Sequence, residues 1–237
     1  MIHILNHYTR DPSYTLNQIE AQGYKARVST DRTNFSKKRD WNRYRGLNQN
    51  HLGCIISPDD DEWRIVCHDD VEISDGALDK IYHILQYAPH TLVSFFNNPH
   101  SNYDKALEQG KHVVTTYESI WYQFVAFHKS FGKPLEEWID KHIALEDFGA
   151  ISEDSIYASY LSLNEIPAYV VTPALIQHQG YDRSTFKNNA KVGKRYRYAY
   201  HYDPDFDVYS VDWEQEFANP YPALQKWVTK KIQLRDM

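Results

Sequence analysis

The stretch Arg64-Ile65-Val66-Cys67-His68-Asp69-Asp70-Val71-Glu72-Ile73-Ser74 decides the fold. Arg64 to Cys67 is short and apolar, the signature of a buried strand. Asp69 and Asp70 follow directly at its carboxyl end. Beyond Ser74, residues Leu78, Ile81, Ile84 and Leu85 recur at helical spacing, and Ser74 stands where an N-cap belongs. A strand that runs into acid and then into a helix predicts an α/β sheet. In such sheets the ligand crevice lies outside the carboxyl ends of the strands. Two carboxylates placed there repel each other unless a cation shares them. Hard oxygen ligands suit Mg²⁺ or Mn²⁺. The alternative is a turn whose two acids are simply solvated.

Working outward, Ile2 to Leu5 reads as a strand rather than a secretory signal. Tyr14 to Gln22 reads as a helix stopped by Gly23, and Lys25 to Thr30 as a second strand ending at Asp31. This β-α-β opening predicts a parallel pair with a right-handed crossover. A helix over Lys37 to Asn48 and a short apolar strand or helix end over Gly53 to Ser57 follow. Pro58 to Glu62 is an acidic turn; its Asp59-x-Asp61 precedes the buried strand, at the wrong end for the crevice. Later strands are expected at Thr91 to Phe96, Val113 to Thr116, Gln123 to Phe127 and Ala168 to Val171. Helices are expected at Pro134 to His142 and from Ser152 to Leu161, the second opening with Glu153 and Asp154. Residues 181–212 read as a long loop or lid, and Pro222 to Leu234 as a closing helix.

Composition sets bounds. A chain of 237 residues that is 42% hydrophobic can bury a sizeable core in one large domain or two small ones. No run of eighteen apolar residues exists, so no membrane span is expected. Cys54 and Cys67 both lie in apolar runs, which fits free thiols and a cytoplasmic setting. The net charge of −6 argues against a general polyanion binder. Two segments run against that balance. Lys25, Arg27, Arg32, Lys37, Lys38, Arg39, Arg43 and Arg45 face only Asp31 and Asp40 within residues 25–45. Lys187, Lys191, Lys194, Arg195 and Arg197 face no acid at all within residues 187–197. They read either as a phosphate-facing surface or as two solvated loops.

Three pieces stand in order: His68-Asp69-Asp70-Val71, Glu153-Asp154-Ser155, and Pro173-Ala174-Leu175-Ile176-Gln177-His178-Gln179-Gly180 with Ser184 beyond. Together they resemble the GT-A class of nucleotide-sugar glycosyltransferases over residues 1–186. In that class a strand ends in a DxD-type metal site, a later helix opens with an acidic pair that supplies a base, and a still later histidine completes the metal site. The literal DxD is absent here: His68 takes its first position, Asp69 the middle and Asp70 the last. Glu146-Asp147 is a competing acidic pair. The later one is preferred because a capped helix holds it.

The resemblance implies a GT-A-type, Rossmann-like mixed sheet, mostly parallel and flanked by helices. It implies one domain over 1–237, with a core at 1–186 and a lid and closing helix at 187–237. Asp70, Asp69 and His178 would hold Mn²⁺ or Mg²⁺ against a nucleotide diphosphate, with a UDP-sugar as the expected donor. Asp154 would be the base for an inverting transfer, with Glu153 second. Asn6, His7, Tyr8 and Asp31 would meet the nucleotide, and Arg183, Ser184 and Lys187 the diphosphate. Trp121 and Tyr122 would wall the acceptor site, and Lys191, Lys194, Arg195 and Arg197 would reach an anionic acceptor. The acceptor hydroxyl stays open between a hydroxymethylated base in DNA, a glycan and a protein. Two other classes stay open as well. One is a metal-dependent phosphoryl or nucleotidyl transferase or nuclease built on Asp69 and Asp70. The other is a catalytically dead protein of this shape that binds sugar or nucleic acid.

Overall fold

The computed structural model describes residues 1–32, 45–97, 101–117, 122–144, 148, 151–178 and 198–224. An eight-stranded sheet runs through them in the order β10-β6-β8-β5-β7-β3-β1-β2. Third from one edge is β3 (Trp63–His68), flanked in parallel by β1 (Ile2–His7), which pairs in turn with the edge strand β2 (Ala26–Asp31). On the other side β3 meets β7 (Phe124–His128) antiparallel, and β7 meets β5 (Leu92–Ser94) antiparallel. Next come β8 (Ala168–Val171), parallel to β5, and β6 (Val113–Thr116), antiparallel to β8. Thus β1, β2, β3, β5 and β8 all point one way. The sheet is mixed and mostly parallel, as the strand–acid–helix pattern predicts.

Strand alternation divides the core in two. Ile2, Ile4, Ile65, Cys67, Phe124, Ala126, Tyr169 and Val171 face one side. There they pack on α1 (Ser13–Ala21), α3 (Ala77–Leu85) and α7 (Trp213–Ala218) through Ile19, Leu78, Ile81, Ile84, Trp213 and Phe217. Leu5, Val66, Val125, Phe127, Ala168 and Val170 face the other side. They pack on α2 (Arg45–Ile55), α4 (Ser101–Glu108), α5 (Gly132–His142) and α6 (Glu153–Leu163). The result is three layers, helix, sheet and helix. No helix among the described residues is long and apolar enough to cross a membrane.

Several expectations shift. Ser74 does not cap α3: Gly76 takes that place with φ +73, a left-handed backbone that glycine adopts without strain. The Ser74 carbonyl instead accepts from Ala77 N. Of the helix expected over Lys37 to Asn48, residues 37–44 lie outside the described residues; from Arg45 on α2 is helical and runs through Gly53 to Ile55. Strand β5 is cut short because the Ser94 hydroxyl donates to the Phe96 carbonyl at 2.7 Å, competing with the ladder. The expected closing helix begins as a strand. β10 (Tyr221–Leu224) lies along β6 at the sheet edge, where Pro222 lacks no needed donor. Residues 225–237 lie outside the described residues. The described part of the supposed lid, 198–212, is packed rather than loose: Val208 is fully buried and Ala174 bridges Tyr202.

A second, two-stranded sheet is small but decisive. β4 (Val71–Ile73) pairs antiparallel with β9 (Ile176–His178), matching Val71 to His178 and Ile73 to Ile176. α1 clamps this ribbon: the Thr15 hydroxyl donates to the Val71 carbonyl, and Gln18 Oε1 accepts from Ile73 N at 2.8 Å.

Candidate active site

The turn after β3 is pinned on both sides. His68 N donates to the Gln123 carbonyl and Asp69 N to the Leu5 carbonyl, at 3.0 and 3.1 Å. Asp69 and Asp70 therefore sit where β3 leaves the main sheet and β4 begins. The β4–β9 register then places His178 beside them. His178 Nε2 lies 3.2 Å from Asp70 Oδ2. Both carboxylates and the imidazole are buried.

The cation that two adjacent carboxylates demand is present as a side chain. Arg10 Nη2 lies 2.8 Å from Asp69 Oδ1 and 2.7 Å from Asp70 Oδ2. Arg10 was not a candidate in the sequence reading. It is a lone residue in a polar turn before Pro12, with neither periodicity nor motif to mark it.

Electrostatics set the two acids apart. Burial pushes the Asp69 carboxyl up to about 7; Arg10 opposes this and the neighbouring Asp70 charge adds to it. Burial also works against the Asp70 charge. There the His178 hydrogen bond and the Arg10 guanidinium outweigh it, and Asp70 is held below the ordinary carboxylate range. The site thus carries one fixed negative charge and one that titrates near neutrality. Burial pushes His68 down to about 4, so it is neutral at physiological pH.

A stability test follows. The folded Asp69 pKa lies above its ordinary value of 3.8. Between about pH 4 and pH 7 the unfolded chain has released a proton that the folded chain keeps, so stability falls as pH rises through that window. Asn cannot titrate. Asp69→Asn should gain about 2 kcal/mol on wild type between pH 5 and pH 8. Urea unfolding at both pH values measures it. An unchanged difference would show that Asp69 is ionised across the whole range.

The donor types suit a divalent cation, although Asp69, Asp70 and His178 do not bring three ligand atoms within 4.8 Å of one another. Asp69 and Asp70 offer hard oxygens and His178 an imidazole nitrogen, a combination suited to Mn²⁺ or Mg²⁺. Asp70 Oδ1 is buried and has no hydrogen-bond partner among the described residues, which leaves one carboxylate oxygen for a ligand. Arg10 already spans the pair, so an ion entering here has to share the carboxylates with the guanidinium or displace it.

Beside the acid pair, at the carboxyl ends of β1 and β2, opens a cleft of about 700 Å³. Asn6, Tyr8, Pro12, Val28, Thr30 and Arg32 line it. Asn6 and Tyr8 were expected there. Val28, Thr30 and Arg32 are the alternate positions of β2, and that alternation turns Asp31 to the other face, where it is buried. The Asp31 carbonyl nonetheless holds Tyr8 N at 2.9 Å, shaping the cleft from behind. The His7 ring turns to Thr9, with Nδ1 2.7 Å from the hydroxyl, and His7 N meets Asp69 Oδ2 at 3.4 Å.

The second acidic pair arrives by topology. α6 leads through a short turn into β8, which is parallel to β5, β3 and β1. Its first turn therefore lies at the same sheet edge as Asp69 and Asp70. Ser152 occupies the N-cap position, but its hydroxyl makes no cap bond; Ser152 Oγ faces Ser155 Oγ at 3.2 Å instead. Glu153 is buried, and its Oε2 has no partner among the described residues. Burial pushes Glu153 up to about 7 and, with the Glu153 charge, lifts Asp154 well above the carboxylate range. Tyr157 in the next turn meets His51 Nδ1 at 2.8 Å.

Tyr122 is corrected. At 1% exposure it belongs to the core, stacked on Phe127 and edge-on to Tyr157, rather than to an open wall. Trp121, Glu146, Asp147, Arg183, Ser184, Lys187, Lys191, Lys194, Arg195 and Arg197 lie outside the described residues. Compared with known protein families and with curated proteins, the chain matches none.

Proposed function

We propose that this protein is a metal-dependent, nucleotide-sugar-dependent glycosyltransferase of the GT-A kind. One observation carries the reading. Asp70 and His178 come from distant segments and lie within 3.2 Å of each other, beside an open cleft at the carboxyl ends of two parallel strands. That convergence is what the order of the three sequence pieces implies.

In this reading Asn6, Tyr8, Thr30 and Arg32 receive the nucleotide. Asp70, Asp69 and His178 hold the divalent ion. When bound, that ion supplies charge neutralisation at the departing diphosphate, worth several kcal/mol in a transition state. Arg10 adds a fixed positive charge at the same place, and its planar fork suits phosphate oxygens as well as carboxylates. Arg183, Ser184 and Lys187 would extend the diphosphate contacts. Burial lifts both Glu153 and Asp154, and the Glu153 charge lifts Asp154 further, so their protons exchange near and above neutrality, where an acceptor hydroxyl can hand one over. Asp154 is the assigned base, and Glu153 sets its charge state. The acceptor is a DNA base, a glycan or a protein. Lys191, Lys194, Arg195 and Arg197 would steer an anionic one.

A panel of nucleoside diphosphate sugars tests the proposal by thermal shift, with and without Mn²⁺. A bound donor stabilises by mass action, by about 2.7 kcal/mol at a hundred times its Kd. One donor, expected to be a UDP-sugar, should raise Tm only when metal is present, and that donor should release nucleotide slowly into water. A panel in which no donor shifts Tm in either condition overturns the reading.

A further inference from the structure

At the opposite end of the sheet a second set of ligating side chains converges. Glu62 precedes β3, His90 precedes β5 and His128 ends β7. These three strands are neighbours in the order β5-β7-β3. The register brings the residues together: Trp63 pairs with His128, and His128 N donates to the Thr91 carbonyl at 2.8 Å. Glu62 Oε1 lies 3.7 Å from His128 Nε2 and 3.9 Å from His90 Nε2. One ligand atom from each of the three lies within 4.8 Å of the others.

We propose that Glu62, His90 and His128 form a binding site for a zinc-type divalent cation, with water completing the coordination. Zinc takes imidazole nitrogen and carboxylate oxygen at about 2.0–2.2 Å, which in a tetrahedron separates the ligand atoms by about 3.4 Å. The observed spacings are slightly wider. Glu62 and His90 supply the missing approach, because their side chains are 62% and 68% exposed and can move.

One further observation points to a ligand. The buried His128 Nε2 has no hydrogen-bond partner among the described residues, and the Glu62 carboxylate stands too far away for a hydrogen bond. His128 Nδ1 lies 2.7 Å from the Ser130 hydroxyl. The Ser130 backbone N–H also donates to Nδ1 at 3.3 Å, so Nδ1 accepts and the neutral ring carries its proton on Nε2, which an incoming cation would displace. The rings of His90 and His128 stack face to face at 3.9 Å and 2°; parallel planes do not aim both lone pairs at one point, so the exposed His90 has to swing out of the stack to join the ion. Lys129 adds a positive charge nearby, which the Glu62 carboxylate offsets. An ion bound here would tie three adjacent strands at the end of the sheet remote from Asp69 and Asp70. Its role is to brace the sheet, not to perform the proposed transfer.

The test uses the full chain carrying Asp70→Asn, which removes the main competing carboxylate. Zn²⁺ is titrated against a chromophoric chelator, and Tm is recorded in parallel. We expect one Zn²⁺ per chain and a rise in Tm. His90→Ala in that background should weaken Zn²⁺ at least tenfold and remove the Tm rise. The exposed His90 can be replaced without opening the core, so the variant remains folded. Co²⁺ in place of Zn²⁺ should give the visible absorption of a low-symmetry site, absent from the Glu62→Gln variant. Failure of the Asp70→Asn protein to bind Zn²⁺ overturns the proposal. So does affinity that His90→Ala and Glu62→Gln leave unchanged. Neither outcome touches the donor experiment, which reads the other end of the sheet.

Discussion

Asp70→Asn should reduce sugar transfer at least 10³-fold while the chain stays folded. A loss of that size corresponds to about 4 kcal/mol of transition-state stabilisation, the scale expected when a divalent ion loses its main anchor. The fold should survive because the variant keeps the shape of the side chain. Arg10 also retains Asp69 as a partner at 2.8 Å, so no buried charge is stranded. His178 keeps an oxygen acceptor in the Asn amide. The measurement is nucleotide release from the donor that the thermal-shift panel identifies, read beside far-ultraviolet circular dichroism. Transfer at the wild-type rate in a folded Asp70→Asn protein would remove the acid pair from the chemistry and leave Arg10 as a purely structural clasp. Chelation should mimic the substitution. If EDTA has no effect while Asp70→Asn is inactive, Arg10 is the working cation and the site runs without metal.

Asp154→Asn should lower turnover by about 10²–10⁴-fold, the share of a positioned base. The donor-induced thermal shift should remain, because the acid pair of α6 lies apart from Asp70 and His178 in the chain and on a different element. The pH profile adds a readout that a structural role would not move. Glu153 sits at about 7 because burial disfavours its charge. The ionised form of Glu153 is therefore present above about pH 7, and its charge, with burial, holds the Asp154 proton to higher pH. Wild-type kcat should fall on the acid side of neutrality. In Glu153→Gln the like charge is gone, Asp154 ionises more readily, and the acid limb should move to lower pH. Full turnover in Asp154→Asn together with loss in Glu153→Gln would transfer the role of base to Glu153. Loss in neither would return the pair to helix electrostatics.

What the sequence revealed of this architecture depended on how local each signal was. The buried β3, the acids at its end and the apolar stripe of α3 are contiguous, and strand and helix periodicities separate them cleanly. The meeting of Asp70 with His178 was legible only through the order of three motifs, since nothing local to either residue marks the other. Arg10 was invisible because a single cation in a polar turn carries no pattern, unlike the dense basic runs, which lie largely outside the described residues. The carboxyl-terminal strand β10 was misread because Leu224, Trp227 and Val228 repeat at helical spacing, whereas the open edge of β6 recruits Tyr221 to Leu224 as a partner. Glu62, His90 and His128 come from three separate connections. No spacing rule for metal ligands reaches across that distance, and only strand order and register bring them together.

The ribbon of β4 and β9 is only three residues deep, yet it alone brings His178 to Asp70. Closing it joins positions 71 and 178, a long loop whose entropy cost grows only slowly with length but must be met before the contact returns anything. A chain can therefore form β1, α1, β2 and β3 from near neighbours and still lack the imidazole beside its acids. Strand pairing has a period of two, so a one-residue slip in β9 turns His178 to the opposite face and leaves every other layer of the molecule in place. Competence at this centre is thus a property of the completed chain. An insertion or deletion beside β9 is therefore a graver event than most substitutions within it.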